Sequence, residues 1–342
     1  MGFILPVIWN STPVCQFHSY NPGVLAAEGG RSAPTYPLVY PFLPCYTYPV
    51  SIWLLAHGRL SRHAALSSSS PIAGEFPLVN MVQSEQPTDR TRFTNLSSIS
   101  FDADIGVAKS ALGISTIRFI GLLNNNSGPS DTFSITGSSS SSSIGSPSYS
   151  SGSLPCWPSA DISDKPRVHS FVFIPAGLSE SYFRFTINST APRRVADTAS
   201  GFRIVDYFEI GNLLISDGIS SGQVLTGVSG IKRGSLSEGQ DEESRQVISE
   251  GGQTFSRVRP KPEIKTFSLM FKGPKADQEY RSGLAKIKRH CGVSRSVLFC
   301  DDMNADDFIL DRMIYGLFQG WQDLSRPQSQ YYEVLVKIKE LL

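Results

Sequence analysis

Short runs of alternating apolar and polar residues dominate the chain between about residues 74 and 217. The segment 182–187 (YFRFTI) alternates Phe183 and Phe185 with Arg184 and Thr186, which is the period-two pattern of a half-buried strand. Further strands are predicted at 114–123, 132–136, 169–174 and 202–215. Short strands joined by long polar connections are typical of an antiparallel β-sandwich, which we expect this region to form.

The pattern becomes mixed near the C-terminus. Segment 265–271 (KTFSLMF) alternates as a strand, and strands are also predicted at 297–300, 309–318 and 331–338. Between them, 275–291 places apolar side chains on one helical face, and Gly292 stands where a helix C-terminal glycine belongs. These elements predict a small α+β domain at 255–342.

The N-terminal region differs from both. Residues 1–58 carry Glu28 and Arg31 as their only charged side chains and include eight prolines, which interrupt helices and remove strand hydrogen-bond donors. We expect an extended arm over 1–66 whose aromatic residues contact other copies or a partner; the alternative is packing against its own chain. The candidate oligomer contacts are Trp9, Tyr36, Tyr40, Phe42, Tyr46, Tyr48 and Trp53.

Two polar stretches separate or interrupt these regions. Residues 134–153 include six consecutive serines at 138–143, and we interpret them as a flexible surface loop or disordered insert in the sandwich at 67–217. Residues 218–254 are rich in Gly, Ser, Glu and Gln and have few apolar side chains to bury. They predict a linker or an exposed excursion.

The charge composition indicates which classes of partner this chain binds. The 342 residues contain 31 Lys and Arg against 30 Asp and Glu, so the net charge is +1 and no nucleic-acid partner is expected. Charged residues make up only 18% of the chain, against roughly 25% in an average soluble domain. This deficit favours a surface that is covered by other copies or other proteins.

The cysteines and the apolar runs indicate the redox environment of the protein and whether it has a membrane or secretion segment. The five cysteines are an odd number without a CxxC pair, so they do not predict a disulfide framework, and a reducing site of synthesis is expected. The N-terminus lacks the features of a signal peptide, and the apolar run at 50–56 is far shorter than the ~20 residues that span a bilayer. We therefore expect no membrane insertion.

The sequence offers few candidates for a metal or catalytic site. The Asp cluster between Asp301 and Asp311 lacks the glycine and glutamate that an EF-hand loop needs, so a solvated connection is the favoured interpretation over calcium. His290, Cys291 and Cys300 lack the paired spacing of a structural zinc site, and both cysteines are expected to be buried apolar residues. Because no nucleophile, base and orienting group can be recognised together, we expect no enzymatic activity, no metal and no cofactor.

A sugar site is the remaining chemical candidate. Tyr149 and Trp157 flank the serine-rich stretch, where aromatic rings could be presented for stacking on a host-surface glycan. The favoured alternative is that Trp157, between Pro155 and Pro158, packs the loop onto the sandwich.

A series of segments then shows a family pattern. Its parts are a Phe-Pro pair, an Arg-containing phrase, a strand ending in Asp-x-Gly, an Asn-rich loop, a late Tyr-Phe-Glu-Ile-Gly strand and a C-terminal Tyr-Gly-Leu. They lie at 76–80, 90–93, 104–106, 124–126, 207–215 and 315–317. This order resembles the virion proteins of tailed phages that are built on a discoidin-like, or galactose-binding-like, jelly roll. The resemblance covers roughly 60–342; the aromatic arm and serine-rich insert have no counterpart, and Thr91 replaces an expected tryptophan.

The resemblance implies an antiparallel jelly-roll β-sandwich. Together with the extended N-terminal arm and the small C-terminal α+β domain predicted above, the expected fold class is mainly β. The resemblance also implies a structural component of a phage virion, at the distal tail or tail tip, in a symmetric ring that links the tail tube to receptor-binding parts. The expected partners are copies of itself and other tail proteins, in a virion assembled in the host cytoplasm. The alternatives are a carbohydrate-binding adhesin and a neck or collar protein.

Overall fold

The protein is described from a computed structural model. The chain divides into two compact units, Met1–Pro44 and Cys45–Leu342, and every residue that the structure describes lies in the second unit. The described residues are 52–56, 60–83, 89–94, 97–157, 167–189, 193–197, 201–217, 224–225, 230–231, 235–241, 245–248, 254–257, 262–272, 276–282, 284–301, 309–321, 325–328 and 331–341.

Strands account for most of this regular structure. In chain order they are β1 Ile52–Ala56, β2 Ala65–Ser68, β3 Thr91–Phe93, β4 Ser98–Asp104, β5 Ile117–Asn125, β6 Thr132–Ser138, β7 Tyr149–Ser150, β8 Leu154–Pro155, β9 Val168–Leu178, β10 Tyr182–Asn188, β11 Arg193–Asp197, β12 Gly201–Val205, β13 Phe208–Ile210, β14 Asn212–Ser216, β15 Val224–Leu225, β16 Gly230–Ile231, β17 Ser237–Gln240, β18 Arg245–Ile248, β19 Thr254–Arg257, β20 Glu263–Lys272, β21 Ser296–Cys300, β22 Met313–Trp321, β23 Ser325–Gln328 and β24 Tyr331–Glu340.

The helices are short. They are α1 Asn80–Gln83, α2 Gly106–Ala111, α3 Ala276–Ser282, α4 Leu284–Cys291 and α5 Ile309–Arg312. Among these described helices, none has the length and apolar character that crossing a bilayer requires. The prediction of a mainly β protein with antiparallel sheets is confirmed.

One layer of the sandwich is an outer sheet in the order β2-β4-β10-β6-β7, with β8 also pairing with β6. The alternation predicted for β10 is confirmed, since Phe183, Phe185 and Ile187 are buried while Arg184 and Thr186 are partly exposed. Phe185 stacks on Phe101 of the neighbouring β4 with ring centroids 4.8 Å apart. This face of the outer sheet is therefore one wall of the sandwich core.

A middle sheet in the order β14-β5-β9 forms the opposite wall. Ile120 and Leu122 of β5, together with Leu213 of β14, join the same buried cluster as Phe101 and Phe185. The predicted antiparallel sandwich thus consists of these two sheets, with a core between them.

The other face of the middle sheet is buried as well. Phe119 and Leu123 of β5 and Leu214 of β14 belong to a second cluster with residues of the C-terminal region, among them Leu298 and Tyr315. A strand buried on both faces has no polar side to alternate, which explains the near-continuous apolar runs at 117–123 and 212–215. The sandwich and the C-terminal sheet consequently share this buried junction.

The C-terminal sheet follows the order β15-β1-β21-β22-β24-β20-β16, with β17 on β20 and β23 on β24. Its face away from the sandwich is covered by α3 and α4, where Leu284 and Ile287 pack with Phe267, Val336 and Ile338. Gly292 follows α4 with φ of +55°, as the sequence predicted for a helix C-terminal glycine.

Several predicted boundaries were wrong. The single strand predicted at 202–215 is divided into β12, β13 and β14, because the chain bends at Asp206 and Tyr207 and again at Gly211. The strand predicted at 309–318 begins with the helical turn α5 and becomes β22 only at Met313. Both errors come from reading a continuous apolar run as one element.

The regions predicted to be an arm and a linker also contribute strands. β1, within the predicted arm, pairs with β21 from Trp53↔Cys300 to Ala56↔Val297. β16 and β17, within the predicted linker, both pair with β20. The domain boundaries at 66, 217 and 254 stay predictions.

Gly316 provides a test of how closely the C-terminal strands pack. A Cβ on this residue of β22 would lie 2.1 Å from the Lys339 carbonyl oxygen of β24, whereas one on Gly145 would have no neighbour within 4 Å. We expect Gly316→Ala to lower the free energy of unfolding by about 2–4 kcal/mol, because backbone atoms must move. Gly145→Ala, the matched control, should change it by less than about 0.5 kcal/mol in urea titrations; equal effects would contradict the pairing.

Candidate functional site

A group of charged side chains lies at the edge of the sandwich, where β3 pairs with β13. Glu209 of β13 is directly opposite Arg92 of β3. Arg92 donates to the Glu209 Oε1 atom from Nε at 3.1 Å and from Nη2 at 2.7 Å. The Glu209 side chain is only 4% exposed, so this cross-strand ion pair is largely removed from water.

Two aromatic rings hold the Arg92 guanidinium in place. Its Cζ atom lies 3.8 Å from the ring centroid of Phe76 and 3.8 Å from that of Tyr207. A cation between two ring faces gains electrostatic stabilisation from both. The Arg92 side chain is 25% exposed, so it is the solvent-facing member of the group.

Arg167, just before β9, approaches Glu209 from the other side. Its Nη2 donates to Glu209 Oε2 at 2.5 Å, and its side chain is 8% exposed. Within the part of the chain that the structure describes, the buried Nε and Nη1 atoms of Arg167 have no hydrogen-bond partner. The Glu209 carboxylate therefore accepts hydrogen bonds from both Arg92 and Arg167, but it does not pair with the Nε and Nη1 atoms of Arg167.

Arg90 adds a further positive charge. Its Nη1 donates to the Asn124 carbonyl oxygen at 3.4 Å. Burial, with the nearby charge of Arg167, lowers the pKa of Arg90 to about 9, although Glu209 partly opposes this. Arg90 thus remains protonated at neutral pH, and we call Arg90, Arg92, Arg167 and Glu209 together the arginine cluster.

Three asparagines at 124–126, at the end of β5, border this cluster. Asn126 Nδ2 donates to the Tyr207 carbonyl at 3.1 Å, and Asn126 Oδ1 accepts from the Glu209 backbone N–H at 2.7 Å. Asn125 Oδ1 accepts from the Ser127 hydroxyl at 2.6 Å. These side-chain bonds hold the segment around Glu209 to the end of β5.

Asn124 has a different role. It adopts φ of +52°, a region in which asparagine is tolerated better than most residues. In this conformation its backbone N–H donates to His169 Nδ1 at 3.1 Å, and its Nδ2 donates to the Leu341 carbonyl at 2.6 Å. Asn124 therefore links the sandwich to the end of the last C-terminal strand.

The predicted sugar-stacking residues are not presented as rings on the surface. Trp157 is 5% exposed, belongs to the sandwich core and donates from Nε1 to the Ser127 carbonyl at 3.0 Å. This placement matches the favoured packing interpretation, and the Trp157 ring is not available for stacking on a glycan. Tyr149 of β7 is half-buried against the same core.

The serine-rich stretch is a hairpin whose tip is largely exposed, as expected of a surface loop, but its two ends belong to strands of the outer sheet and are not an insert without regular structure. β6 pairs with β7 at Thr136↔Ser150 and Gly137↔Tyr149. Between them, Ser138 Oγ donates to the Ser140 carbonyl at 2.6 Å and Ser143 Oγ donates to the same oxygen at 3.0 Å. Serine hydroxyls satisfy local backbone groups, so a run of them can build a turn.

Of the predicted oligomer contacts, Trp53 lies in β1. The others, Trp9, Tyr36, Tyr40, Phe42, Tyr46 and Tyr48, are outside the described residues.

The remaining candidates for metal binding lie near the C-terminal sheet. Asp301 is buried, and its Oδ2 atom lies 3.7 Å from Arg312 Nη1. Residues 302–308 of the Asp cluster are outside the described part. Cys291 and Cys300 are buried apolar residues, as predicted. Among described residues no group of metal-ligating side chains is present.

Comparisons with known proteins give little further information. No protein-family model and no curated protein matches the chain. One similar solved structure is a mutant of the lectin binding domain of Lectinolysin complexed with Lewis b, at 10% identity and a TM-score of 0.30, covering 47% of this chain and 96% of that chain. Another is the tail of an empty GTA particle with C6 symmetry, at 18% identity and a TM-score of 0.22, covering 35% and 84%. Neither similarity carries an argument about this chain.

The arginine cluster generates a stability prediction. Glu209→Gln would leave two guanidinium groups without their shared carboxylate, and breaking a buried ion pair costs about 3–5 kcal/mol. We expect a loss of that order in the free energy of unfolding measured in urea at pH 7. Asp277→Asn, which removes an exposed helical pair with Arg281, should produce no measurable change.

The same variant should alter the pH dependence. Burial raises the pKa of Glu209, but Arg167, Arg92 and Arg90 outweigh it and lower the pKa below its ordinary value. The carboxylate's contribution is thus fully present above the unfolded pKa of about 4.3 and is lost as the pH falls below it. Wild type should show this acid loss and Glu209→Gln should lack that part of it; identical acid profiles would contradict the assignment.

Proposed function

We propose that this chain is a non-enzymatic structural component of a bacteriophage virion, at the distal tail or tail tip. It would form a symmetric ring with copies of itself, contact other tail proteins and assemble in the host cytoplasm. The sequence resemblance described above supports the tail context. The observation that carries the structural role is the middle sheet, whose two buried faces join the sandwich and the C-terminal sheet.

A shared buried junction suits a rigid spacer. Phe119 and Leu214 belong to one buried cluster with Leu298 and Tyr315, so relative motion of the two parts would expose apolar surface. Asn124 adds the bond to Leu341 at the same junction. A protein that transmits position between tail parts requires this kind of rigid connection.

A non-enzymatic role is also supported by the state of the reactive groups that the structure describes. Both oxygens of Glu209 accept from arginines, which opposes proton transfer. Burial and the nearby Asp131 raise the pKa of the Cys156 thiol to about 12, so little nucleophilic thiolate exists at neutral pH.

The alternative of a carbohydrate-binding adhesin depended mainly on Trp157. A sugar-stacking role for Trp157 would require a ring face in water, and this ring is buried in the core. Tyr149 is half-buried against the same core, and burial together with Glu180 raises the pKa of its hydroxyl.

Position in the virion is tested by labelling. An antibody raised against the full chain should place gold at the distal end of the tail in electron micrographs of purified particles. Label at the neck would favour a collar protein, and particles that contain none of the chain by mass spectrometry would contradict the virion proposal.

The proposed clasp role of the arm is tested by a pair of deletions. Removing residues 1–44 leaves the whole second compact unit, so we expect cooperative unfolding like that of the full chain but no incorporation into particles. Removing residues 1–59 also deletes β1, the partner of β21, so this variant should lose stability of the C-terminal sheet. Circular dichroism and a particle-assembly assay distinguish the two.

Normal incorporation of the 1–44 deletion would show that Trp9, Tyr36, Tyr40 and Phe42 are not required for assembly and would reject a clasp formed by residues 1–44.

A further inference from the structure

The outer edge of β20 is covered by a short segment, residues 235–241, which we call the strap. β17 lies within the strap and pairs antiparallel with β20. On either side of β17, Ser235 Oγ accepts from the Ser268 N–H at 3.0 Å, and the Asp241 N–H donates to the Pro262 carbonyl at 2.9 Å. The strap therefore satisfies backbone groups that the edge of β20 would otherwise present to another chain.

The strap contributes little to the core of the C-terminal sheet. All four residues of β17 are exposed. Within the strap, Leu236 packs against that core and is partly buried. By contrast, Phe267 and Leu269 of β20 are completely buried in it. Backbone hydrogen bonds thus supply most of the attachment of the strap, and a different strand could form the same kind of bonds.

Two ion pairs hold the strap in place. Lys265 of β20 is 1% exposed, and its Nζ donates to Glu238 Oε1 of the strap at 2.6 Å and to the Asp311 carbonyl at 2.6 Å. Lys339 Nζ of β24 donates to Asp241 Oδ2 at 2.7 Å. Because a buried ammonium without its carboxylate is costly, Glu238 is the charged contact that most opposes release of the strap.

The backbone groups beneath the strap belong to alternate residues of β20. In an antiparallel ladder, hydrogen-bonded pairs alternate with pairs that exchange no hydrogen bonds. The Asp241 N–H bonds to the Pro262 carbonyl and the Ser268 N–H bonds to the strap, so the even-numbered residues of β20 face the edge. Ile264 and Thr266 are therefore edge-facing as well.

These edge-facing residues suit pairing with the same strand of a second copy. In the antiparallel register that is symmetric about Phe267, Thr266 lies opposite Ser268, and Phe267 lies opposite Phe267 of the second copy. Lys265 lies opposite Leu269, so its charge does not face its own equivalent. Hydroxyl and aromatic cross-strand pairs stabilise a sheet, and a symmetric pairing of this kind closes as a dimer.

We propose that the strap covers a latent self-association edge, and that β20 of a second copy pairs with β20 in this symmetric register when the strap is displaced. The two C-terminal sheets then form one continuous sheet. Glu238 keeps the edge closed by pairing with Lys265. This contact is separate from the ring contacts of the proposed virion role and does not depend on them.

Charge reversal in the strap tests the proposal in the full chain. Glu238→Lys places a second cation beside Lys265 and should release the strap. We expect size-exclusion chromatography with light scattering to give about twice the mass of the wild-type species or more, because each copy gains an open edge. Glu75→Lys makes the same charge change at an exposed position between β2 and α1, and it should keep the wild-type mass.

Two proline variants separate the edge from the charge. Gly239→Pro removes a hydrogen-bond donor of the strap without changing its charge, and it should also raise the mass. Thr266→Pro removes an edge-facing N–H of β20 and leaves the hydrogen bonds with β24 in place. The double variant Glu238→Lys/Thr266→Pro should therefore return to the wild-type mass. A raised mass in this double variant would overturn pairing through β20.

Hydrogen exchange of the wild-type chain tests displacement of the strap without any substitution. The amides of Gly239, Asp241 and Ser268 should exchange at least about tenfold faster than the amide of Val336, which lies in β24 between two strands. Equal protection of these amides would contradict a displaceable strap, even if the variants fail to fold. Glu238→Lys that loses protection in the strap but keeps the wild-type mass would overturn the self-association.

Discussion

Burial of the middle sheet on both faces is the constraint on which the remaining structure depends. Within β9, Val172 and Ile174 face the sandwich core while Phe171 and Phe173 face the C-terminal sheet. Each such side chain, when fully buried, contributes about 1.5–3 kcal/mol relative to exposure. Because the same strands supply both clusters, neither the sandwich nor the C-terminal sheet can lose this sheet without exposing its own core.

Because the middle sheet is buried on both faces, polar side chains are placed at the ends of its strands. At the end of β5, Asn124, Asn125 and Asn126 form hydrogen bonds with Leu341, Ser127 and Tyr207, respectively. The arginine cluster lies beside these asparagines, with Glu209 held by Asn126 at its backbone N–H. A concentration of buried charge is thereby attached to the sheet that both cores share.

Local patterns in the sequence predicted much of the fold. Alternation identified β10, β20 and β24, and the continuous apolar run at 117–123 indicated a strand, although its second buried face depends on a sheet that lies far along the chain. The pairing of β1 with β21 joins residues near 55 and 298, which no local pattern records. For the same reason the boundaries drawn from composition did not reveal that strands from the arm and linker regions join the C-terminal sheet.

The candidate site was harder to predict. Glu209 appeared only as part of a strand motif, although a carboxylate between Phe208 and Ile210 is a signal of a buried ion pair that sequence reasoning missed. Its partners could not be identified, since Arg92 is 117 positions away and Arg167 is 42 positions away. Packing of Trp157 between Pro155 and Pro158 was the favoured interpretation, and the structure places its ring in the core, but the sequence could not identify its hydrogen-bond acceptor, the Ser127 carbonyl.

Hydrogen exchange during urea unfolding of the full chain tests most directly whether the two cores form one structural unit. Amides of the outer sheet, in β4 and β10, are compared with amides of the C-terminal sheet, in β20 and β24. The account predicts that both sets lose protection in one transition with the same midpoint, because the middle sheet belongs to both cores. Loss of protection in β20 and β24 at a lower urea concentration, while β4 and β10 remain protected, would contradict it.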